Sequence, residues 1–338
     1  MEAKQTVRAT LRLASQRWLA EPPGRPDGSR GSRWRRRLPI DQAVGAGATG
    51  AVRLLTLNVA HGRKLATHQA LLSPDTVRRN LEEIAFLLRE SSADVVALQE
   101  ADGPSAWSGN FDHVETLTRL CEHTCCFRGN HNAFNLGRAA LASGTALISR
   151  FPLQSTHSVR FGTSWRDTKG FVLASVPVPA WDGRELDIVS LHLEPFNPVI
   201  RRQQVRQLVD TLGERGHGER GHGERAPARR RPLVVLGDFN CSWSDEARQL
   251  RPLARELGLR AYQPHRRAPT YPSRRPWRRL DWILVSNDLD FAAYRTLPNP
   301  VSDHLGVVAD LVPRALHVSR GAAEAAGWST PEQVVQNG

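Results

Sequence analysis

Leu233-Val234-Val235-Leu236-Gly237-Asp238-Phe239-Asn240 is the stretch from which the rest of this chain is best read. Four consecutive apolar residues closed by a glycine predict a strand buried on both faces, as in a layered α/β or α+β protein. The run then delivers a carboxylate and, two residues later, an amide, where the chain leaves the sheet and can present side chains in a cleft.

The same texture recurs on either side. Predicted strand 52–57 delivers Asn58, 94–99 delivers Glu100, and 186–191 delivers His192. Asp281 opens a strand that runs on to 286, and Ser302-Asp303-His304 precedes one at 306–311. Segments 145–149 and 171–176 complete the predicted strands. Residues 74–90 predict a helix, with Ser73 as cap, proline in the first turn, and Val77, Leu81, Ile84, Leu87 and Leu88 on one stripe. Further helices are expected at 198–212 and 245–257. Taken singly, Asn58 reads as a turn residue, Asp238 as a cap, His192 as a buried histidine and Asp281 as a rim partner of Arg278 or Arg279. Six such groups at six strand ends do not reduce to those readings.

Phosphate-ester hydrolysis needs this set of groups. A hard cation such as Mg²⁺ takes oxygen ligands and keeps several waters, so a Glu with an Asn or Asp suffices to hold it. The attacking water must be aimed and deprotonated. That role suits His304, with Asp281 orienting its far nitrogen, while Asp238 can activate water or protonate the leaving oxygen. Asn240 and His192 suit the non-bridging oxygens.

Leu57-Asn58-Val59, Leu98-Gln99-Glu100, Ser190-Leu191-His192-Leu193, Gly237-Asp238-Phe239-Asn240, Arg279-Leu280-Asp281-Trp282-Ile283 and Ser302-Asp303-His304 resemble, in order and spacing, the motifs of the endonuclease/exonuclease/phosphatase superfamily. The similarity spans roughly residues 52–312, with Gly144–Arg150 (144–150), Lys169-Gly170-Phe171 and Thr270-Tyr271-Pro272 in support. It implies a four-layered α/β sandwich, two packed mixed sheets flanked by helices, and Mg²⁺- or Mn²⁺-dependent cleavage of phosphate esters. Carried over residue by residue, Glu100 would be the principal metal ligand with Asn58 near it, and Asp303 would join the metal or stand behind it. His304 and Asp281 would form the base or phosphate-polarising pair. Asp238 would be the acid/base, and Asn240 and His192 the phosphate binders. Whether Asp238 or His304 activates the water stays open at this point.

Charge narrows the substrate class. The net charge of the 338 residues is +12, but residues 1–50 carry +6, 213–231 carry +3 and 260–279 carry +7, so the remainder is −4. Only Lys4, Lys64 and Lys169 are lysines, so arginine alone is a weak sign of nucleic-acid binding. Residues 144–150, 169–171, 237–243 and 270–279 resemble uncharacterised bacterial phosphohydrolases with some sphingomyelinase-like character, and that resemblance implies a phosphorylated small-molecule or lipid substrate. The alternative is DNA or RNA, gripped by the seven arginines and by Tyr262, Tyr271 and Trp277 of 260–279. A second alternative is a non-catalytic phosphate-binding protein, but no expected metal or base residue is missing.

Organisation follows from composition. Residues 1–50 are expected to form a basic, disordered tail, with a short amphipathic helix within 7–19. Residues 51–313 form the catalytic domain, with a flexible Gly/His/Glu/Arg repeat loop at 213–231, and 314–338 form a C-terminal tail. No apolar run reaches the roughly 18 residues of a membrane span, and a cytoplasmic location is expected from the lack of a secretory signal. Cys121, Cys125, Cys126 and Cys241 show no Cys-x-x-Cys spacing and are expected to be reduced, the first three as buried thiols. His61, His68, His113, His123 and His131 are expected to be ordinary surface or loop histidines, although the Asn130-His131-Asn132 cluster also suits a cleft loop.

Overall fold

The central strands are buried on both faces, which is why the sequence reads as apolar runs with no polar face between them. The computed structural model describes residues 50–136, 139–162, 169–217, 231–241, 250–263 and 268–314, all within the unit Val44–Gly338. In chain order its strands are β1 (Val52–Asn58), β2 (Val95–Asp102), β3 (Cys125–Arg128), β4 (Asn132–Leu136), β5 (Ala139–Ser149), β6 (Gln154–Arg160) and β7 (Gly170–Val178). They continue with β8 (Arg184–His192), β9 (Leu233–Asp238), β10 (Leu259–Ala261), β11 (Asp281–Ser286), β12 (Leu289–Thr296) and β13 (Val307–Pro313). The helices are α1 (Pro74–Ser91), α2 (His113–Leu120), α3 (Pro198–Glu214) and α4 (Leu250–Glu256).

The strands form a seven-stranded sheet, ordered β12-β13-β1-β2-β5-β3 with β4 also on β5, and a six-stranded sheet, β10-β11-β9-β8-β7-β6. Both are mixed, since β1 and β2 pair in parallel, as do β8 and β9, among antiparallel neighbours. Successive side chains point to opposite faces of a strand. Val52 and Leu54 of β1, Val234 and Leu236 of β9, and Ile283 and Val285 of β11 therefore meet in a core between the sheets. Leu55 and Leu57 pack outward with Leu81, Ile84 and Leu88 of α1 and Leu117 of α2. Val235, Trp282 and Leu284 pack outward with Leu208 of α3 and Leu253 of α4. Helices, sheet, sheet and helices make the four-layered α/β sandwich that the motifs imply. Ser73 caps α1 by accepting the Thr76 N–H at 3.2 Å, with Pro74 following it.

Strand register positions the site. Gly170 pairs with His192, His192 with Asp238, and Asp238 with Asp281, so one row of residues crosses four strands of the six-stranded sheet. Across from it, Asn58 pairs with Gln99 in the other sheet. Buried Gln99 donates to Ser190 Oγ at 3.3 Å and ties the two sheets together beneath that row. Gly237 makes the row fit: its φ is +147°, and an added Cβ would lie 2.0 Å from the Leu191 carbonyl oxygen. Gly237→Ala is accordingly expected to cost about 3 kcal/mol of stability. Urea denaturation checks this, and a midpoint equal to wild type would contradict it.

Several expectations are corrected here. His217, assigned by sequence to a flexible loop, is buried, with Nε2 2.8 Å from Asp187 Oδ2. Of the three neighbouring cysteines only Cys121 is buried; Cys125 is half-buried and Cys126 exposed, because β3 lies at a sheet edge. His113, His123 and His131 are buried rather than superficial. The helix expected at 7–19, the repeat residues 218–230, the start of the helix expected at 245 and the tail 315–338 lie outside the described residues.

Candidate active site

Asn58 ends β1 with its amide used twice: Oδ1 accepts the Ala60 N–H at 2.9 Å, and Nδ2 donates to Asp238 Oδ2 at 3.0 Å. That second bond joins the two sheets at the site. Glu100 stands in β2 where the pairing with β5 slips between Leu98 and Ala101, and its φ of +51° is left-handed. Such a bulge breaks the alternation of side chains and re-aims one of them. It separates Glu100 from buried Gln99 and turns its carboxylate toward the cleft. There Oε2 lies 3.5 Å from His61 Nε2, and Oε1 lies 3.6 Å from Lys169 Nζ.

From Lys169 the contacts continue unbroken. Lys169 Nζ is 3.0 Å from His192 Nε2, which is 3.5 Å from Asp238 Oδ2. Asp238 Oδ2 is 3.7 Å from His304 Nε2, and His304 Nδ1 is 2.8 Å from Asp281 Oδ2. Asp238 Oδ1 accepts the Asn240 N–H at 2.9 Å, and Asn240, at φ +53°, donates its Nδ2 to the Leu193 carbonyl at 2.8 Å. Thr270 Oγ1 accepts the N–H groups of Leu280 and Asp281 where β11 begins, and the Tyr271 ring lies 4.9 Å from that of His304. Asn58, Glu100, His192, Asp238, Asn240, Asp281 and His304 thus come together. Asp303 is held from another side, its Oδ2 taking a hydrogen bond from Arg63 and its carbonyl accepting the Ser273 N–H, while its charge adds to those that raise His304.

Burial and charge sort these groups. Glu100 would be raised by burial, but the neighbouring His61, Lys169 and His192 charges hold it well below the usual carboxylate range. Burial, with the Asp281 charge nearby, pushes Asp238 up to about 6, against the pull of the His304 cation. Burial opposes an imidazolium at His304, yet Asp281 and Asp238 outweigh it and raise His304 to about 10. Burial and Lys169 together press His192 well below the ordinary imidazole value.

His304 is 5% exposed, and removing it would leave the buried Asp238 and Asp281 carboxylates without their shared partner. The donor chemistry suits a divalent cation. Glu100 offers an ionised carboxylate beside neutral amide and imidazole groups, and Asp281 Oδ1 has no hydrogen-bond partner among the described residues. Asp238, Asp281 and His304 also bring one donor atom each within 4.8 Å of one another.

The site includes residues that were read as ordinary. His61 Nδ1 lies 2.7 Å from Asp102 Oδ1, and Trp107 Nε1 donates to Asp102 Oδ2 at 2.9 Å. His61, Glu100, Trp107, His131, Lys169 and His192 line one cavity of about 130 Å³. The Asn-His-Asn cluster and Lys169-Gly-Phe were the sequence signals for this wall; His61 had none, because its carboxylate partners stand about forty residues away in the chain. The arginine strip divides. Arg279 is buried, stacked 3.8 Å from the Trp282 ring and bonded to the Tyr262 carbonyl, and Arg260 pairs with Asp290. Those two arginines hold structure, whereas Arg274 and Arg275 are exposed.

Residues 55–304 match the model of the "Endonuclease/Exonuclease/phosphatase family". Among solved structures, an endonuclease/exonuclease/phosphatase from Beutenbergia cavernae DSM 12333 is similar at a TM-score of 0.59 and 20% identity, covering 78% of this chain and 72% of that one. One from Bacteroides vulgatus gives a TM-score of 0.56 at 15% identity, over 78% of this chain and 99% of that one. Humanized D. rerio TDP2 gives 0.53 at 15% identity, over 77% and 98% respectively. At such identities the likeness is one of fold. No curated protein matches the chain.

Proposed function

This chain belongs to the endonuclease/exonuclease/phosphatase family, and from that premise we propose that it is a divalent-metal-dependent hydrolase of phosphate esters. Its substrate in this reading is a lipid or small-molecule phosphodiester or phosphomonoester, cleaved by in-line attack of water. The observation that carries the reading is the unbroken run of contacts from Glu100 through Lys169, His192, Asp238 and His304 to Asp281.

Glu100 would hold the ion, Mg²⁺ or Mn²⁺, with Asn58 beside it. When bound, such an ion polarises a phosphoryl oxygen and offsets charge that builds up in the transition state. The remaining roles fall to the chain itself. Lys169, His192 and Asn240 bind non-bridging oxygens, with Asn240 steadied by its bond to the Leu193 carbonyl. Asp238 takes the proton of the attacking water. His304, held as an imidazolium between two carboxylates, supplies its Nε2 proton to the leaving oxygen. Asp281 fixes the ring through Nδ1. Asp303 anchors Arg63 at the edge of the cleft.

These assignments predict a bell-shaped dependence of kcat/KM on pH. Asp238 acts only when ionised, so activity rises as pH passes about 6. His304 acts only when protonated, so activity falls as pH passes about 10. A profile that rises only beyond pH 8 would contradict this division of labour.

The lipid reading is supported by large apolar side chains exposed on loops that adjoin the strands bearing Asn58, His192 and Asp281. Phe196 is 90% exposed after β8, Leu71 76% exposed after β1, and Trp277 74% exposed beside Tyr271. Exposed apolar side chains on such loops suit a substrate presented at an apolar interface. Among the described residues no helix is long and apolar enough to cross a membrane. Arg274, Arg275 and Trp277 favour one second reading, a nuclease gripping phosphates and stacking a base.

The test is hydrolysis of bis-p-nitrophenyl phosphate with Mg²⁺ or Mn²⁺, followed by phospholipid vesicles, soluble nucleotides, plasmid and abasic duplex. Metal-dependent turnover that is highest on vesicles or small esters is expected. Highest efficiency on DNA near physiological salt would establish the nuclease instead, and no turnover on any ester would remove the enzyme.

A further inference from the structure

We infer that His61 is a nitrogen ligand of the divalent ion at Glu100, held in place by Asp102, and that it gives this site a preference for Mn²⁺ over Mg²⁺. The inference rests on the proposed metal-dependent reading and deepens it.

The ring is fixed from behind. His61 Nδ1 lies 2.7 Å from Oδ1 of Asp102, a fully buried carboxylate whose other oxygen is taken by Trp107 Nε1 at 2.9 Å. With Nδ1–H donated to Asp102, Nε2 faces Glu100 Oε2 at 3.5 Å, so that a divalent ion entering between them would take the place of the Nε2 proton. A carboxylate behind an imidazole, with the far nitrogen aimed outward, is the usual arrangement behind a metal-binding histidine. An imidazole nitrogen and a carboxylate oxygen at that distance share a positive charge between them, a proton in the metal-free site and a divalent ion when one binds. Donors sharing one ion at bond lengths of about 2.1 Å lie about 3.0–3.4 Å apart, close to the spacing seen.

The backbone is committed to this placement. His61 has φ +53° and its neighbour Ala60 φ +47°, conformations that cost a non-glycine residue about 1–3 kcal/mol and persist where surrounding structure enforces them. That enforcement is visible: Asn80 Nδ2 donates to the Gly62 carbonyl at 2.8 Å, and the Val59 N–H to the Gln99 carbonyl at 2.9 Å. The second bond ties the turn directly to the bulge that carries Glu100. An imidazole beside a carboxylate suits transition metals, whereas Mg²⁺ prefers oxygen alone.

The full-length protein, stripped with chelator and reloaded with Mn²⁺, tests the inference by pulsed EPR with ¹⁴N- or ¹⁵N-labelled histidine. The expected result is hyperfine coupling to a directly bound imidazole nitrogen, lost in His61→Asn; asparagine tolerates the left-handed backbone. In His61→Asn the Mn²⁺ dissociation constant should rise about 10–100-fold, and in Asp102→Asn about tenfold, with much smaller changes for Mg²⁺. Thermal denaturation checks that each variant is folded, and Asp102→Asn carries the test should His61→Asn not fold. Mn²⁺ bound in a Glu100-dependent way without histidine coupling, or with coupling unchanged in His61→Asn, overturns the inference alone. Failure of Mn²⁺ to bind the wild-type protein overturns both the inference and the metal-dependent reading beneath it.

Discussion

Glu100→Gln is expected to lower kcat/KM on bis-p-nitrophenyl phosphate by about 10³-fold or more, equivalent to about 4 kcal/mol of transition-state stabilisation. Glutamine has nearly the same shape but lacks the charge. The β2 bulge places Glu100 where His61 and Lys169 favour its ionised form, so its charge is available to a cation. The substitution should cost the fold little, because the carboxylate is partly exposed and its ion pairs are long, at 3.5 and 3.6 Å. Kinetics over a Mg²⁺ and Mn²⁺ series, with a melting curve beside them, check both statements. Activity within about tenfold of wild type at saturating metal would remove Glu100 from the metal site.

His304→Ala should lower kcat by about 10³–10⁴-fold, and Asp281→Asn by only about 10–100-fold, since the latter loosens the ring without deleting it. The sequence invites the further expectation that His304→Ala leaves the fold unaffected, as for an imidazole at a rim. Its burial argues otherwise. His304 stands between Asp281 and Asp238, and without it two buried carboxylates face each other with no intervening cation. A loss of about 3 kcal/mol in stability is expected, so turnover must be measured well below the shifted melting point. Equal rates for wild type and Asp281→Asn would contradict the pairing of Asp281 with His304.

What the sequence reveals depends on where each element lies. Strands β1, β2, β8, β9, β11 and β13 are interior, with apolar contacts on both faces, and each reads as a run of Val, Leu and Ile. The strands that escape such reading are β3, β6, β10 and β12 at the sheet edges, and β4, which pairs with β5 alone. In β6, Gln154–Arg160, nearly every side chain is exposed, so no apolar period marks it. The site residues at strand ends are legible because each follows a buried run. His61 is not: it lies on a short turn after β1, and both Glu100 and Asp102 come to it from a different strand. Nor does any residue type announce that Glu100 sits in a bulge rather than in regular alternation. The arginines of 260–279 mislead in the opposite direction. Arg279 is a core residue packed on Trp282, and counting charges along the chain cannot distinguish it from the exposed Arg274 and Arg275.

Catalysis as proposed requires a divalent ion and a phosphate to meet at a single place. Crystals soaked with Mn²⁺ and inorganic phosphate, measured at a wavelength where manganese scatters anomalously, would test it most directly. The expected map has an anomalous peak against the Glu100 carboxylate and a tetrahedral anion within hydrogen-bonding reach of Lys169, His192 and His304. An ion bound away from Glu100, or a phosphate that avoids all three of those side chains, would contradict it.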